Sequence, residues 1–468
     1  MGRKKRRNPL LEQLEIIDVA AEGKSIAKFE DRIIFVTGTI PGDIVDVQIT
    51  KKKKKYSEGY PTKFHKYSDD RVEPECEHFG VCGGCKWQHL PYSKQLFYKN
   101  KQVTDNFERI GKIDIKEKIE ILAAPKDYYY RNKLEFSFSN KEWLTKEQVE
   151  SGEEFGVRNA CGFHVPKMFD KIVNVNHCHL QDNYSNEIRN FVRQFALDND
   201  LEFFDIRANE GFLRNMIVRN TAKGELMLIV IFLKMNDDVK KLLDAIYAEF
   251  PQITSLNYVI NPKLNDSIND LEVVNYKGKD HLMEEMDDLK FKVSPKSFYQ
   301  TNSEQAYNLY KKALEFADIS ANDLVYDLYT GTGTIANFIA KKDKKVIGIE
   351  YVEDAIKDAK INSELNNITN TEFFAGDMKD VLNDEFVKAH GKPDVIIIDP
   401  PRAGMHQDVV DTLLRISPKR IVYISCNPAT QARDIALMKE QYKTLKIQPV
   451  DMFPQTHHVE NIALLKLV

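Results

Sequence analysis

The chain has 468 residues, of which 42% are hydrophobic, and its formal net charge at pH 7 is −4. It contains no apolar stretch long enough to span a bilayer, which excludes a helical membrane protein, and a charge so close to zero excludes a uniformly basic RNA coat. The length indicates about three domains. Because the basic start lacks the apolar segment of a signal peptide, we expect a cytoplasmic protein. We also expect a monomer with no membrane attachment and no obligate protein partner.

A small β-barrel is predicted for residues 10–66, behind a basic tail at 1–9. Short β-type runs at 14–17, 33–36 and 44–49 are separated by glycine and proline, which is the pattern of a small barrel. This segment resembles a TRAM domain, an OB-like RNA-binding module. The resemblance implies that RNA is a partner of the chain.

Two basic runs accompany the predicted barrel, at 3–7 in the tail and at 51–55. We expect both runs to contact RNA phosphates, which gives affinity without sequence choice. A solvated charged face is the alternative.

A tight cluster of thiols follows the barrel. Cys76, Cys82 and Cys85 are close in sequence, and two glycines before Cys85 allow the chain to fold around a metal. The missing fourth ligand would be Cys161 or Cys178, and Cys178, between two histidines, has the better context. Zinc accepts three Cys with a further Cys or His, whereas an iron-sulfur cluster takes four Cys, so spacing alone does not choose. A disulfide is disfavoured, because nothing in the chain signals secretion.

These cysteines lie in a predicted central domain, residues 67–290, for which the sequence indicates mainly a structural role. Strands are predicted at 134–138, 216–219 and 226–231, and a helix at 183–197. Together these elements indicate an α/β layer. A further helix is predicted at 92–110. Packing of this helix on the C-terminal domain, rather than on its sequence neighbours, is one of the two arrangements considered.

One stretch of the C-terminal domain has the order strand, glycine turn, helix, strand and acid. The apolar run at 324–329 leads into the turn, and the next apolar run ends on Glu350. Glycines let the backbone approach a ligand and the carboxylate can accept both ribose hydroxyls, so an adenosine-like ligand is predicted. Because Gly331, Gly333 and Ala336 also satisfy a relaxed dinucleotide pattern, the turn alone does not separate NAD from S-adenosylmethionine. A tight turn with no ligand is the alternative.

The next buried-strand run, 395–398, delivers Asp399 and then Pro400, Pro401 and Arg402 to a loop. An acid followed by two prolines resembles the way in which many methyltransferases hold a base beside the methyl donor, with an ordinary surface turn as the alternative. Enzymes that methylate exocyclic amines generally place an aromatic ring after the prolines. Arg402 therefore disfavours amine methylation.

A further run, 421–425, ends on Cys426 and is broken by Asn427 and Pro428. The thiol is thus expected at the carboxyl end of a buried parallel strand, where open α/β sheets bind ligands. Carbon 5 of a pyrimidine is a poor nucleophile, so chemistry there requires a thiolate that adds to carbon 6. The adduct must then lose the carbon 5 proton to a general base, for which Glu460, on a loop entering the last strand, is the best candidate.

Taken singly, each of these two residues has a simpler interpretation. A cysteine at a strand end is more often an inert buried residue, and a loop glutamate is usually solvated. The occurrence of Cys426 and Glu460 together, behind a nucleotide-binding unit, favours catalysis.

Five motifs of the C-terminal third resemble one family, the RNA 5-methyluridine methyltransferases. In the family's order, the motifs occupy 298–302, 327–333, 399–402, 425–428 and 457–460. The resemblance implies a Rossmann-like catalytic domain at 291–468, with Cys426 as nucleophile and Glu460 as base. It also implies that S-adenosylmethionine contacts Gln300, Tyr329, Thr334, Glu350, Asp377 and Asp399.

The cysteine spacing is similar to that of the larger bacterial members of this family, which act on 23S ribosomal RNA and carry a 4Fe-4S cluster. The resemblance implies such a cluster, with zinc as the alternative, on Cys76, Cys82, Cys85 and Cys178, and leaves Cys161 spare. The implied reaction is methylation of carbon 5 of a specific uridine in 23S ribosomal RNA, through a covalent adduct between the cysteine nucleophile and carbon 6.

Other functions stay open at this point. A tRNA uracil-5 methyltransferase would share the catalytic motifs. An RNA cytosine-5 methyltransferase would share the thiol but would normally show Pro-Cys after the acidic strand, where this chain has Arg402 behind the prolines. A nicotinamide-dependent redox enzyme and a non-catalytic RNA-binding module both leave Cys426 and Glu460 without a role.

Overall fold

The computed structural model describes residues 8–115, 117–153, 156, 158–320, 322–341 and 344–468. The described strands form a closed barrel, a seven-stranded sheet, a two-stranded hairpin and an eight-stranded sheet. The basic run at 3–7 lies outside the described residues, so its contact with phosphate stays a prediction. No helix in the described part of the chain has the length and apolarity needed to cross a bilayer.

The N-terminal strands close into a barrel. They are β1 (Leu10–Val19), β2 (Ser25–Phe29), β3 (Arg32–Val36), β4 (Ile44–Lys52) and β5 (Tyr56–Lys66). Their order is β1-β2-β3-β5-β4, and β4 pairs antiparallel with β1 to complete the ring. Alternate apolar side chains fill the interior, because successive residues of a strand point to opposite faces. The lysine run at 51–55 is exposed where β4 turns into β5.

Helix α1 (Tyr92–Asn106) packs on the C-terminal domain. It continues into a π-helical turn (Phe107–Gly111), and the short strand β6 (Glu117–Lys118) pairs with β21 at the edge of the eight-stranded sheet. Phe107 is fully buried in the same apolar core as Ile435 of the C-terminal domain. The segment that follows the cysteines is therefore part of the C-terminal packing unit.

The central sheet lies between two apolar layers. Its strands are β7 (Lys133–Ser139), β8 (Ala160–Val165), β9 (Met168–Asn174), β10 (Leu213–Asn220), β11 (Leu226–Phe232), β12 (Ser255–Ile260) and β13 (Val274–Gly278), and its helices are α2 (Lys146–Glu150), α3 (Tyr184–Asp198) and α4 (Asp237–Glu249). The strand order is β13-β12-β11-β10-β7-β8-β9. Met216 and Val218 pack with α3 and α4, whereas Ile217 joins the core of the C-terminal domain. The predicted central strands and helix are confirmed.

The C-terminal domain is a mostly parallel sheet with helices on both faces. A hairpin of β14 (Leu282–Met286) and β15 (Leu289–Val293) leads into it. Its strands are β16 (Val325–Leu328), β17 (Val346–Glu350), β18 (Thr371–Ala375), β19 (Val395–Ile398), β20 (Arg420–Ser425), β21 (Tyr442–Val450) and β22 (Glu460–Leu467). Its helices are α5 (Ser303–Ala317), α6 (Thr334–Ala340), α7 (Glu353–Leu365), α8 (Met378–Val381), α9 (Asp384–His390), α10 (Gln407–Ile416) and α11 (Pro428–Met438).

The strand order β18-β17-β16-β19-β20-β22-β21-β6 decides where a ligand can bind. The strands from β18 to β20 are parallel, and β22 runs antiparallel to β20. Strands such as β16 and β19 are buried throughout, which explains their continuous apolar runs. Strand β16 has β17 on one side and β19 on the other, so successive strands are added first to one side of β16 and then to the other. At such a position a crevice opens at the carboxyl ends of the strands.

Candidate active site

Two strands bring a thiol and a carboxylate to the same edge of the sheet. Cys426 follows β20 directly, and the antiparallel pairing of β20 with β22 sets Ser425 opposite Asn461. Glu460 precedes Asn461 and is the first residue of β22. The register therefore makes neighbours of Cys426 and Glu460, although they are far apart in sequence.

Glu460 differs from its predicted setting. The sequence suggests a loop residue, but the side chain belongs to the strand and the residue is only 7% exposed. Burial and then the charge of Asp399 raise the pKa of this carboxyl to about 8, whereas Arg402 opposes the increase. The carboxyl therefore takes up a proton more readily than a solvated glutamate does.

Cys426 is half-buried beside these groups. Burial raises the pKa of its thiol to about 11, and the negative charges of Glu460 and Asp399 contribute to the increase. Arg402 opposes them through its charge and a hydrogen bond. The nucleophilic form of cysteine is the thiolate, so the thiol of the free protein is mostly unreactive near neutral pH.

Arg402 is held at this thiol by the loops after β19 and β20. The side-chain amide of Asn427 donates to the Arg402 carbonyl (3.0 Å), and its oxygen caps α11 by accepting from the Ala429 N–H (3.2 Å). The Arg402 Nη2 atom lies 3.3 Å from Nδ1 of His458. The sequence indicated only that Arg402 disfavours amine methylation, and its place as a cation beside Cys426 was missed.

The glycine turn after β16 has a backbone that few residues adopt. Tyr329, Gly331 and Gly333 have φ values of 64°, 56° and 75°. A Cβ atom on Gly333 would lie 2.9 Å from the Cβ of Ala359 in α7, so only glycine allows the helices to pack this closely, whereas the space beside Gly331 is open. The turn is thus closely packed at Gly333 and open at Gly331, which suits a ligand that contacts the backbone.

Glu350 closes this turn at the end of β17. Its Oε2 accepts from the Gly331 N–H (3.2 Å) and its Oε1 from the Val352 N–H (3.0 Å). A carboxylate has about four acceptor positions, so two bonds fix its orientation and leave acceptors for other donors. This arrangement fits the predicted contact with ribose hydroxyls.

Asp327 is a buried acid that was not singled out from the sequence. Burial raises the pKa of its carboxyl to about 7, although the Thr330 hydroxyl donates a hydrogen bond to it (2.5 Å). The charges of Asp399 and Glu350 contribute to this increase. Asp327 therefore lies within electrostatic reach of both the nucleotide turn and the Cys426 region. An acid inside a buried apolar run was the available signal.

The remaining predicted residues lie along the same edge. The side chain of Gln300 hydrogen-bonds Tyr310, whose pKa is raised by burial and then by Asp399. Burial and then Asp377 raise the pKa of Tyr329 to about 12. The predicted site residues thus form two adjoining clusters. One cluster contains Cys426, Glu460, Asp399 and Gln300, and the other contains Tyr329, Glu350 and Asp377. Thr334 is buried at the start of α6, behind the glycine turn.

Residues 221–468 match the tRNA (uracil-5-)-methyltransferase family, and residues 13–61 match the TRAM domain. The chain belongs to the tRNA (uracil-5-)-methyltransferase family. It is an S-adenosylmethionine-dependent RNA methyltransferase with an N-terminal TRAM barrel.

Its relatives are similar over their whole length. An uncharacterized RNA methyltransferase of Bacteroides thetaiotaomicron is 59% identical over 454 residues, 96% of this chain and 100% of the relative. One of Porphyromonas gingivalis is 53% identical over 462 residues, 97% of this chain and 99% of the relative. The crystal structure of Pyrococcus abyssi tRNA (uracil-54, C5)-methyltransferase with S-adenosyl-L-homocysteine has a TM-score of 0.75 and 29% identity, over 97% of this chain and all of that one.

The methyltransferase also gathers four of its thiols outside the catalytic edge. The pKa of Cys85 is raised to about 12 by burial and then by the nearby Cys178, Cys82 and Cys76 thiols. Cys161 lies in β8, and its pKa responds to burial and to two arginines instead. Of the two candidates for the fourth position, Cys178 is therefore the one near the other three. All six cysteines are free thiols.

The donor set can be compared with the metals that were predicted. A zinc ion holds thiolates at about 2.3 Å, so its ligands lie roughly 3.8 Å from one another. Among the described residues, no three His, Cys, Asp or Glu side chains form a group able to hold a metal ion. The four thiols are neighbours, but they do not form such a group. The metal site stays a prediction.

The raised thiol pKa leads to a prediction about Cys426 reactivity. Alkylation of Cys426 by iodoacetamide should accelerate about tenfold per pH unit between pH 7 and pH 10, because the thiolate fraction rises tenfold per unit below the pKa. Arg402→Met should slow the reaction at a given pH, since it removes a charge that favours the thiolate. Peptide mass spectrometry measures the rate, with Arg415→Met as the exposed control. A rate that levels off below pH 9 would contradict the raised pKa.

Proposed function

We propose that the enzyme methylates carbon 5 of a uridine through a covalent bond between Cys426 and carbon 6. The observation that carries this proposal is the pairing of β20 with β22, which makes neighbours of a nucleophile and a candidate base beside Arg402. The alternative of cytosine methylation is less well supported, because Arg402 follows the prolines where a second cysteine would be expected.

The proposed reaction begins and ends with a free Cys426 thiolate. The uridine is flipped out of its RNA, the Cys426 thiolate adds to carbon 6, and the electron pair of the double bond moves to the enolate of carbon 5. Carbon 5 attacks the methyl carbon of S-adenosylmethionine, and S-adenosylhomocysteine leaves. Glu460 takes the carbon 5 proton, the enolate forms again, and its electron pair expels Cys426 as a thiolate.

The methyl donor is proposed to occupy the crevice between β16 and β19. Glu350 would accept from the ribose, and Gln300, Tyr329, Thr334, Asp377 and Asp399 would make the other contacts. When bound, S-adenosylmethionine supplies the methyl group and a positively charged sulfonium. A positive charge beside Cys426 and Glu460 lowers the pKa of both groups, and therefore favours the ionised forms that the mechanism requires.

Two variants test the covalent mechanism. Cys426→Ala should abolish methyl transfer while S-adenosylhomocysteine still binds, because the thiol is not needed for the crevice. Glu460→Gln should trap RNA on the protein, because carbon 5 keeps its proton and Cys426 cannot leave. Denaturing gels with labelled RNA detect the adduct, and calorimetry measures binding. The control is Glu440→Gln, on the exposed surface. Normal turnover by Cys426→Ala would show that the covalent mechanism is wrong.

We infer 23S ribosomal RNA as the substrate. The support is the four-cysteine segment, whose spacing is that of the larger family members acting on this RNA, together with the exposed lysine run at 51–55 on the barrel. A tRNA substrate is the second candidate, because the solved relative with 29% identity is a tRNA (uracil-54, C5)-methyltransferase. Six reduced thiols and an RNA substrate agree with a cytoplasmic protein.

The substrate is tested with methyl-labelled S-adenosylmethionine on protein-free 23S ribosomal RNA and on bulk tRNA. We expect label in the 23S RNA, identified by mass spectrometry as 5-methyluridine. Label in tRNA alone would assign the enzyme to the second candidate. A product of 5-methylcytidine would mean that the base selectivity is wrong.

A 4Fe-4S cluster on Cys76, Cys82, Cys85 and Cys178 is proposed as the resident metal group. The four-cysteine donor set supports it, and Gly84 donates its N–H to the Cys82 sulfur (3.4 Å), as thiolate ligands commonly accept. Such a cluster would tie the segment to the central domain, and it could transfer electrons. The methyl transfer itself exchanges no net electrons with the protein, so a structural role is favoured.

Metal analysis tests the cluster. Protein purified without oxygen should contain iron and acid-labile sulfide in equal amounts and absorb visible light. Cys178→Ser should remove both signals, whereas the matched variant Cys161→Ser should keep them, since Cys161 lies apart from the other thiols. Bound zinc without sulfide would replace the cluster with the alternative metal, and loss of iron in Cys161→Ser would contradict the ligand set.

A further inference from the structure

The segment that delivers Glu460 is held from outside its own sheet. Residues 451–459 connect β21 to β22, and most of them are buried. A connection of this length between paired neighbours is not fixed by hairpin geometry, so its conformation depends on its contacts. The Asn302 side chain donates to the Met452 carbonyl (3.0 Å). Besides hydrogen bonds within the segment, others come from α1 and from the cysteine segment.

A buried ion pair joins the start of this segment to helix α1. Lys99 and Asp451 have fully buried side chains, and the Lys99 ammonium lies 2.6 Å from Asp451 Oδ1. The same ammonium donates to the Phe453 carbonyl (3.0 Å). Buried charges tolerate little displacement, because each loses its solvent and depends on its partner. This pair fixes the start of the segment.

A reciprocal amide pair holds the middle of the segment. The Gln95 side chain, one turn before Lys99, donates to the Gln455 side-chain oxygen (2.9 Å) and accepts from the Gln455 N–H (2.9 Å). Gln455 has a φ of 65°, a backbone conformation that residues other than glycine rarely adopt. The two bonds from Gln95 thus stabilise a backbone conformation that the segment would not adopt alone.

The cysteine segment, residues 76–87, and the barrel also contact residues 451–459. The N–H groups of Lys86 and Trp87, which follow Cys85, both donate to the Gln455 carbonyl (2.9 and 3.1 Å). On the barrel, a Cβ atom built on Gly23 would lie 3.3 Å from the Cβ of His457. Residues 451–459 are therefore a junction of the barrel, the cysteine segment, α1 and the catalytic sheet.

We propose that Gln95 and Lys99 are positioning residues for Glu460. They fix residues 451–459 so that the Glu460 carboxylate reaches carbon 5 of the uracil bound to Cys426. This inference rests on the proposed covalent function and deepens it, because it assigns to α1 and the cysteine segment an effect on one step, proton removal.

The test removes the ion pair without leaving a buried charge. The double variant Lys99→Met/Asp451→Asn should lower kcat about 100-fold, the cost of displacing a catalytic group by about 1 Å. The KM values for RNA and S-adenosylmethionine should stay within about twofold, since neither binding site is changed. The covalent RNA adduct should accumulate as in Glu460→Gln. The matched control is Lys94→Met/Asp70→Asn, a half-exposed pair with 2.9 Å between the charged atoms, in which only the lysine lies on the same helix.

The outcomes separate this inference from the proposed function. If Glu460→Gln traps RNA but the double variant keeps its kcat or loses activity without an adduct, the positioning role is wrong and the function stands. If Glu460→Gln traps no RNA, the proposed function fails and the inference fails with it. If thermal melting shows that the double variant is unfolded, Gln95→Met decides by the same readouts.

Discussion

The antiparallel pairing of β20 with β22 is the constraint on which the catalytic edge depends. Both strands are buried, so a shift of one residue would turn every side chain of β22 to the opposite face. Such a shift would remove Glu460 from Cys426 and put Val459 or Asn461 in its place. The packing of the sheet therefore makes neighbours of Cys426 and Glu460, the proposed nucleophile and base, and the contacts of residues 451–459 are proposed to refine the position of the Glu460 carboxyl group.

Much of this edge could be predicted because parallel strands are easy to recognise in sequence. A strand buried on both faces is a continuous apolar run, and the first polar residue after it lies at the sheet edge. Asp399 and Cys426 follow this rule, and Glu350 ends such a run. These runs converge because parallel strands in one sheet share a carboxyl end.

What could not be predicted depends on contacts between distant parts of the chain. Lys99 reads as a solvated residue of a polar helix, and nothing near it in sequence indicates that Asp451 is its partner. Glu460 was expected on a loop because the register of β22 follows from its pairing with β20, which local patterns do not contain. Strands β2 and β5 of the barrel were missed, since β5 carries many polar residues and lacks an apolar run.

The clustering of acids would make the ionisation of the proposed site depend on its methyl donor. Glu460 and Asp399 raise the pKa of Cys426, and Asp399 raises that of Glu460, because negative charges in a partly buried pocket repel one another. In the free protein the thiol and the Glu460 carboxyl therefore keep their protons to a higher pH than solvated groups do, and the nucleophile is weak. In the proposed mechanism, the sulfonium that makes the methyl group transferable also favours the thiolate and the carboxylate. The reactive forms then appear when the donor is in place, and the thiol is protected when it is absent.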